Sequence, residues 1–263
     1  MARAVIALLT DFGTRDHYAG TMKAVILGIH PDVTLVDITH DIPPHDVLTG
    51  ALELAASYKY FPQGTIFLVV VDPGVGSARR GIAADTGDYR LVGPDNGVLT
   101  AVLKDAPARR MVELTERRYA RPTVSRTFEG RDRFAPAAAW LAKGVDLSAL
   151  GRTAGTIHHL SIPVPATSDD ALAGEVLRVD RFGNLVTNID RKLFEKFVQS
   201  SGIEITAAAH RIGRVVATYA EAAADEVCAL FGNTDHLEIA VNAGNASDRL
   251  NLTRGAPVTV RRT

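Results

Sequence analysis

The sequence predicts an α/β protein. It reads as an N-terminal α/β domain with a mainly parallel central sheet (residues 1–163), a linker (164–170) and a C-terminal antiparallel, β-barrel-like domain (171–263). Three observations predict this. Runs that are apolar on both faces alternate with amphipathic segments through the N-terminal half, as expected of parallel strands covered by helices on both sides. The stretch Ile162-Pro163-Val164-Pro165-Ala166-Thr167-Ser168-Asp169-Asp170 then interrupts both periodicities with two prolines and a polar run. Beyond it, short β-like runs recur at the spacing of a small antiparallel sheet or barrel. A chain of 263 residues is long enough for two domains of common size.

Each element has its own warrant. Residues 4–9 form an apolar run that meets the turn-like Thr10-Asp11-Phe12-Gly13-Thr14, predicting a strand and its exit. Helical spacing over 18–29 ends at Pro31, and 33–38 reads as a second strand. A second helix over 46–61 places Leu48, Leu52, Ala55 and Ala56 on one stripe. The most apolar strand covers 65–71. Residues 82–85 and 89–92 flank Thr86-Gly87-Asp88 as a hairpin, and Gly93-Pro94-Asp95-Asn96-Gly97 turns into a short helix over 98–103. Asp132 is placed to cap a helix over 134–143. In the second domain, strands are predicted at 174–179, 185–189, 214–218, 227–230, 237–241 and 257–260.

Composition excludes several function classes. The 46% hydrophobic and 22% charged fractions are those of an ordinary globular protein. With 29 Lys and Arg against 30 Asp and Glu, no bulk field favours nucleic acid or an anionic membrane. Cys228 is the sole cysteine, which excludes an internal disulfide framework and a multi-thiolate zinc site; its expected role is that of a small apolar strand residue. The apolar run at 4–9 is too short to span a membrane and lacks a signal-cleavage pattern, so the sequence predicts a soluble, cytoplasmic protein. The histidines, His40 and His45 beside Asp41 and Asp46 included, form no metal-ligand motif, and neither a metal nor a cofactor is expected.

Four segments carry chemistry. The first is Val71-Asp72-Pro73-Gly74-Val75-Gly76-Ser77-Ala78-Arg79-Arg80 at the end of the third strand. In open α/β sheets, ligands bind beyond the carboxyl ends of strands. A carboxylate there, followed by a glycine-rich turn, exposes N–H groups and a charge together; Arg79 or Arg80 returning over the turn would hold Asp72 ionised. A tight turn with solvated arginines is the competing reading. The segment is neither a Walker loop nor a dinucleotide fingerprint. The second segment, Thr10-Asp11-Phe12-Gly13-Thr14-Arg15-Asp16, puts Asp11 in the same layer, where a carboxylate suits a vicinal diol such as a ribose; Asp16 alone is explained as a helix N-cap. The third, Thr127-Phe128-Glu129-Gly130-Arg131-Asp132-Arg133, reads by itself as a capped, solvated helix start. In the fourth, Asp180-Arg181-Phe182-Gly183-Asn184, the default is a hairpin turn, although an Asn also offers the donor and acceptor that an adenine edge needs.

Taken in order, Leu9-Thr10-Asp11-Phe12-Gly13, Val36-Asp37-Ile38-Thr39-His40, Val71-Asp72-Pro73-Gly74-Val75-Gly76, Gly93-Pro94-Asp95-Asn96-Gly97, Gly130-Arg131-Asp132 and Leu237-Glu238-Ile239-Ala240-Val241 resemble one family. It is the S-adenosyl-L-methionine hydroxide adenosyltransferases, the adenosine-forming S-adenosylmethionine hydrolases related to the fluorinating and chlorinating enzymes. The resemblance runs through nearly the whole chain. It implies a homotrimer whose substrate, S-adenosyl-L-methionine, lies between the N-terminal domain of one subunit and the C-terminal domain of the next. It implies Asp72 and Arg79 as catalytic residues, with Glu129 standing where the family has a histidine. It also implies Asp11 on the ribose hydroxyls and Asp16 near the methionine amine. From the neighbouring subunit, Asp180 and Asn184 would contact the methionine amine and adenine, Phe182 would belong to the substrate-binding set, Tyr219 would stack on adenine, and Asn233 would reach the methionine carboxylate region.

The expected reaction is attack of water or hydroxide on ribose C5′, releasing adenosine and methionine, with Asp72 orienting or deprotonating the water and Arg79 stabilising it. Glu129 adds a second acid. In direct contact with Asp72, one of the two would hold a proton; paired with Arg79 or Arg131, both would stay ionised. The alternatives are a protein that binds the adenosyl ligand with little or no turnover because of Glu129, and a halogenase, which Asp72 with Arg79 argues against.

Overall fold

A computed structural model describes residues 3–199 and 202–263. The chain divides into two compact units, Met1–Ser161 and Ile162–Thr263.

The first unit is built on β1 (Val5–Thr10), α1 (Tyr18–Ile29), β2 (Thr34–Thr39), α2 (Val47–Ser57), β3 (Ile66–Val70), β4 (Gly81–Asp85), β5 (Arg90–Pro94), α3 (Thr100–Asp105), β6 (Arg110–Glu113) and α4 (Ala135–Ala142). The six strands form one sheet in the order β2-β1-β3-β5-β4-β6. The first four pair in parallel, whereas β4 runs antiparallel to both β5 and β6. Alternation along β1 splits its side chains between two cores. Ile6 and Leu8 pack with Met22 and Ile26 of α1 and Ala138 of α4 on one face. Ala7 and Leu9 pack with Leu54 of α2 and Val102 of α3 on the other. Both faces are dry, which is why β1 and β3 read as unbroken apolar runs.

The second unit holds β7 (Ala166–Thr167), β8 (Ala171–Val179), β9 (Leu185–Asp190), α5 (Arg191–Val198), β10 (Ile203–Ala207), β11 (His210–Ile212), β12 (Val227–Phe231), β13 (His236–Val241), α6 (Ala246–Leu250) and β14 (Pro257–Arg262). Its antiparallel, barrel-like sheet runs β11-β10-β14-β8-β9-β13-β12, with β7 paired to β8. Leu172, Leu185, Ile205, Ile239 and Val258 fill the interior.

Several expectations are corrected. The helix expected over 46–61 ends at Ser57 and tightens into a 3-10 turn, Tyr58–Tyr60. The short helix expected at 98 starts at Thr100. No strand covers 214–218; Val215 makes a single bridge to Ala229. β6, β10, β11, α5 and α6 were not anticipated. Part of the expected linker, Ala166–Thr167, is hydrogen-bonded to β8. Asp16 does not cap α1, whose N-cap is His17 without a side-chain bond. Asp132 caps no helix either: it lies inside one π-helical turn, Gly130–Phe134, closed by Ala135 N donating to Gly130 O. No helix among the described residues is long and apolar enough to cross a membrane.

Candidate active site

Asp11 and Asp72 follow the carboxyl ends of β1 and β3, which pair with Thr10 opposite Val70. Between these two strands the chain order reverses direction across the sheet: β1 leads to β2 on one side and then to β3 on the other. That reversal opens a crevice at the strand ends, where ligands bind in open α/β sheets.

The glycine-rich turn after Asp72 is held by its own backbone. Val75 N donates to Asp72 O at 3.2 Å, and Ser77 N to Gly74 O at 3.1 Å. Gly76 has φ +77°, and a Cβ there would stand 2.3 Å from Arg126 O. Only glycine lets the turn pass so close beneath the segment that carries Glu129. The turn brings Arg79, not Arg80, back to Asp72. Arg79 Nε donates to Asp72 Oδ1 at 2.9 Å and to Oδ2 at 3.1 Å, and Nη2 bonds Oδ2 as well. The same Nη2 reaches Glu129 Oε2 at 2.5 Å. The side chains of Asp72, Arg79 and Glu129 are 5%, 9% and 13% exposed, so these charges are largely withdrawn from water. Burial opposes the charge of Arg79, but the hydrogen bonds and charges of Asp72 and Glu129 outweigh it and hold the guanidinium above its ordinary value. Its guanidinium also sits 5.1 Å from the Phe134 ring centroid.

Two acids therefore share one arginine. Arg133 Nη2 adds a longer contact to Glu129 Oε1 at 3.4 Å. Arg131, the other expected partner of Glu129, turns to Asp132 instead, with Nε and Nη2 at 2.6 and 2.7 Å. Asp132 is fully buried and also accepts from Ser125 N at 2.8 Å. Burial pushes its carboxyl up; Arg131 and the Ser125 N–H more than compensate, and it lies below the usual carboxylate range. Arg80 pairs with Asp95, whose Oδ1 accepts from His158 N at 2.8 Å.

Asp11 Oδ2 accepts from His45 N at 2.8 Å, and the following loop is pinned by Gly13 N donating to His40 O at 2.7 Å. Asp11, Asp72 and Glu129 line a common cavity of about 270 Å³. Its apolar wall comes from Phe12, Tyr18 and Phe128, with ring centroids 5.1 to 5.8 Å apart. Asp16 is exposed and lies outside that lining. The three aromatic residues were not singled out from sequence, although Phe12 and Phe128 sit inside two of the quoted motifs. Tyr18 opens α1 and its type alone marks nothing.

In the second unit, Asp180, Phe182, Asn184, Tyr219 and Asn233 line one cavity of about 1020 Å³. The β8–β9 connection is the expected hairpin turn: Asp180 Oδ1 accepts from both Phe182 N and Asn184 N at 2.9 Å. Asn184 Nδ2 donates to Asp180 Oδ2 at 3.0 Å and to Tyr219 Oη at 3.4 Å. Phe182 is 75% exposed, an unusual state for a phenyl ring beside a cavity. Glu238 and Asn245 join this lining. Glu238 was quoted within a motif but given no role. Among the described residues, no group of three or more His, Cys, Asp or Glu is arranged to hold a metal ion.

The chain is similar to known proteins along nearly its whole length. A family model for the SAM hydroxide adenosyltransferase N-terminal domain matches residues 6–151, and one for the C-terminal domain of the same family matches 174–259. A (R)-S-adenosyl-L-methionine hydrolase of Salinispora tropica is 39% identical over 95% of this chain and 95% of its own. A fluorinase of an Actinoplanes species is 31% identical over 73% of this chain and 74% of its own. The crystal structure of an uncharacterized conserved protein from Thermotoga maritima superimposes with a TM-score of 0.91 at 35% identity, covering 98% of this chain and all of that one. The chain belongs to the SAM hydroxide adenosyltransferase family.

Proposed function

We propose that this chain hydrolyses S-adenosyl-L-methionine at ribose C5′, giving adenosine and L-methionine. The observation that carries the reading is the Asp72–Arg79–Glu129 cluster beside Asp11 at the β1/β3 crevice. Water attacks C5′ opposite the C5′–S bond; the C–O bond forms as the C–S bond breaks, and the sulfonium leaves as the neutral thioether of methionine. Asp72 accepts the water proton. Arg79 balances the carboxylates and stabilises the developing hydroxide. Glu129 takes the place of the family histidine and acts through the same guanidinium. Alignment of water and C5′ is the main contribution, since a held near-attack geometry removes much of the entropic barrier. Asp11 accepts from the ribose hydroxyls, Asp16 stands on the methionine amine side, and the Phe12–Tyr18–Phe128 wall receives the sulfonium as aromatic faces receive cations.

Two carboxylates beside the nucleophile speak against a halide ion in its place. At about 4 Å and an effective dielectric of 20, a single carboxylate charge not offset by Arg79 repels an anion by roughly 4 kcal/mol. The cavity of the second unit supplies the adenine side: Phe182 and Tyr219 stack, Asn184 and Asp180 hydrogen-bond, and Asn233 reaches the methionine carboxylate. In this reading it does so from a neighbouring copy, in a homotrimer. The substrate is S-adenosyl-L-methionine itself, and no cofactor is required. A cytoplasmic setting suits the lone, buried Cys228 thiol, which burial pushes above its ordinary value.

The test is to incubate the protein with S-adenosyl-L-methionine without added halide and follow products by chromatography, with Asp72→Ala as control. Adenosine and methionine in equal amounts, absent with the variant, are expected. Tight binding without product would overturn hydrolysis in favour of a binding protein, and a 5′-halo-adenosine on adding halide would identify a halogenase.

A further inference from the structure

Glu238 has no part in the reaction above, yet it lies at the cavity of the second unit with 4% of its surface exposed. A carboxylate in the alternating pattern of β13 is expected to face water. Here it is buried on the face opposite Leu237 and Ile239, and Gly232 leaves the room for it: a Cβ at that position would stand 1.8 Å from Glu238 Oε1. Its hydrogen-bond donor is the Tyr219 hydroxyl, 3.2 Å from Oε2. The hydroxyl donates in this bond, so its lone pairs are left to accept. One accepts from Asn184 Nδ2 at 3.4 Å. The other Asn184 N–H goes to Asp180 Oδ2 at 3.0 Å. Both N–H groups of the amide are thus engaged inside the protein, and what Asn184 retains for a ligand is an acceptor, Oδ1.

We propose that Glu238 is a positioning residue that acts through Tyr219 to fix the polarity of Asn184, so that the cavity takes a 6-amino purine and rejects a 6-oxo purine. A 6-amino group donates to Asn184 Oδ1; a 6-oxo group would set two acceptors against each other, leaving a buried polar group unpaired. The same bond holds the Tyr219 ring in the plane it needs for stacking. Burial and the neighbouring Glu238 push the Tyr219 hydroxyl up to about 12, so it remains a donor at neutral pH. The inference rests on the adenine side of the proposed function being this cavity.

Calorimetric titration of the full-length protein with adenosine and with inosine tests it. The wild-type chain is expected to prefer adenosine. Glu238→Leu should cut the adenosine-to-inosine ratio by about tenfold or more, and Tyr219→Phe, which removes only the hydroxyl, should act in the same direction. Glu238→Gln, whose amide oxygen still accepts from Tyr219, should keep most of the preference. A merely structural role would weaken both nucleosides alike. An unchanged ratio in Glu238→Leu, or in Tyr219→Phe should the leucine variant not fold, overturns this inference alone. A wild-type chain that binds neither nucleoside overturns both the inference and the adenine reading beneath it.

Discussion

The two cavities handle buried acids in opposite ways. In the first unit, Asp72 and Glu129 are balanced by a guanidinium that both touch. In the second, Asp180 is satisfied by backbone N–H groups and an amide, and Glu238 by a phenol. In the proposed reaction, the first arrangement gathers acids and a guanidinium where a bond is to be broken and a proton moved. The second uses acids to orient neutral groups, which in the proposed function read a ligand by the direction of its hydrogen bonds. Chemistry needs charge held in place; recognition of a neutral base needs donors and acceptors that cannot swap.

The contrast can be broken experimentally, beginning with the largest effect. Asp72→Asn keeps the shape and removes the base; it should lower kcat by about 10²- to 10⁴-fold while substrate affinity, measured by calorimetry, stays within a few fold. Arg79→Met should destabilise the first unit by about 3–5 kcal/mol, because two buried acids lose their shared partner; thermal melts check this. Asp132→Asn should remove a stabilisation whose pH dependence has a definite sign. The folded carboxyl lies below the ordinary aspartate range, so its contribution is full above about pH 4 and is lost as pH falls through the depressed value. The variant's melting temperature should therefore depend less on pH in that range than the wild type's. In the second unit, Phe182→Ala should weaken adenosine binding by about 1–3 kcal/mol, the usual worth of one base–aromatic stack, and leave the melting temperature nearly unchanged because the ring is exposed.

Much of the first unit was legible because its physics is local. Strands dry on both faces leave apolar runs, and a carboxylate placed straight after such a run, as in Val71-Asp72 or Thr10-Asp11, marks the rim of the sheet. That Arg79 or Arg80 would return to Asp72 followed from a short glycine-rich turn; the choice of Arg79 came from the family resemblance. That Glu129 would join them came only from the family resemblance, because a segment some fifty residues further on is brought down by the close approach at Gly76, which no local pattern records. The second unit was less legible. β10 and β11 are short and mixed in polarity, and 214–218 has β-forming residues but pairs only at Val215. Glu238 sits in a strand whose alternation reads as outward-facing; its burial depends on Gly232 and Tyr219, which only the fold brings beside it. Asp132 was misread for the same reason: it precedes a helix as a cap would, but a π-helical turn and Arg131 take it inward.

In the proposed function, the charged cavity of one copy and the second-unit cavity of another make one site. The decisive measurement mixes Asp72→Ala with Asn184→Ala, each first checked to be inactive alone. If sites form between copies, random reassembly places an intact first unit against an intact second unit at about one quarter of the interfaces, and hydrolysis of S-adenosyl-L-methionine should reappear to roughly that extent. Mixed samples that remain as inactive as either variant alone, after exchange of subunits has been verified, would contradict it.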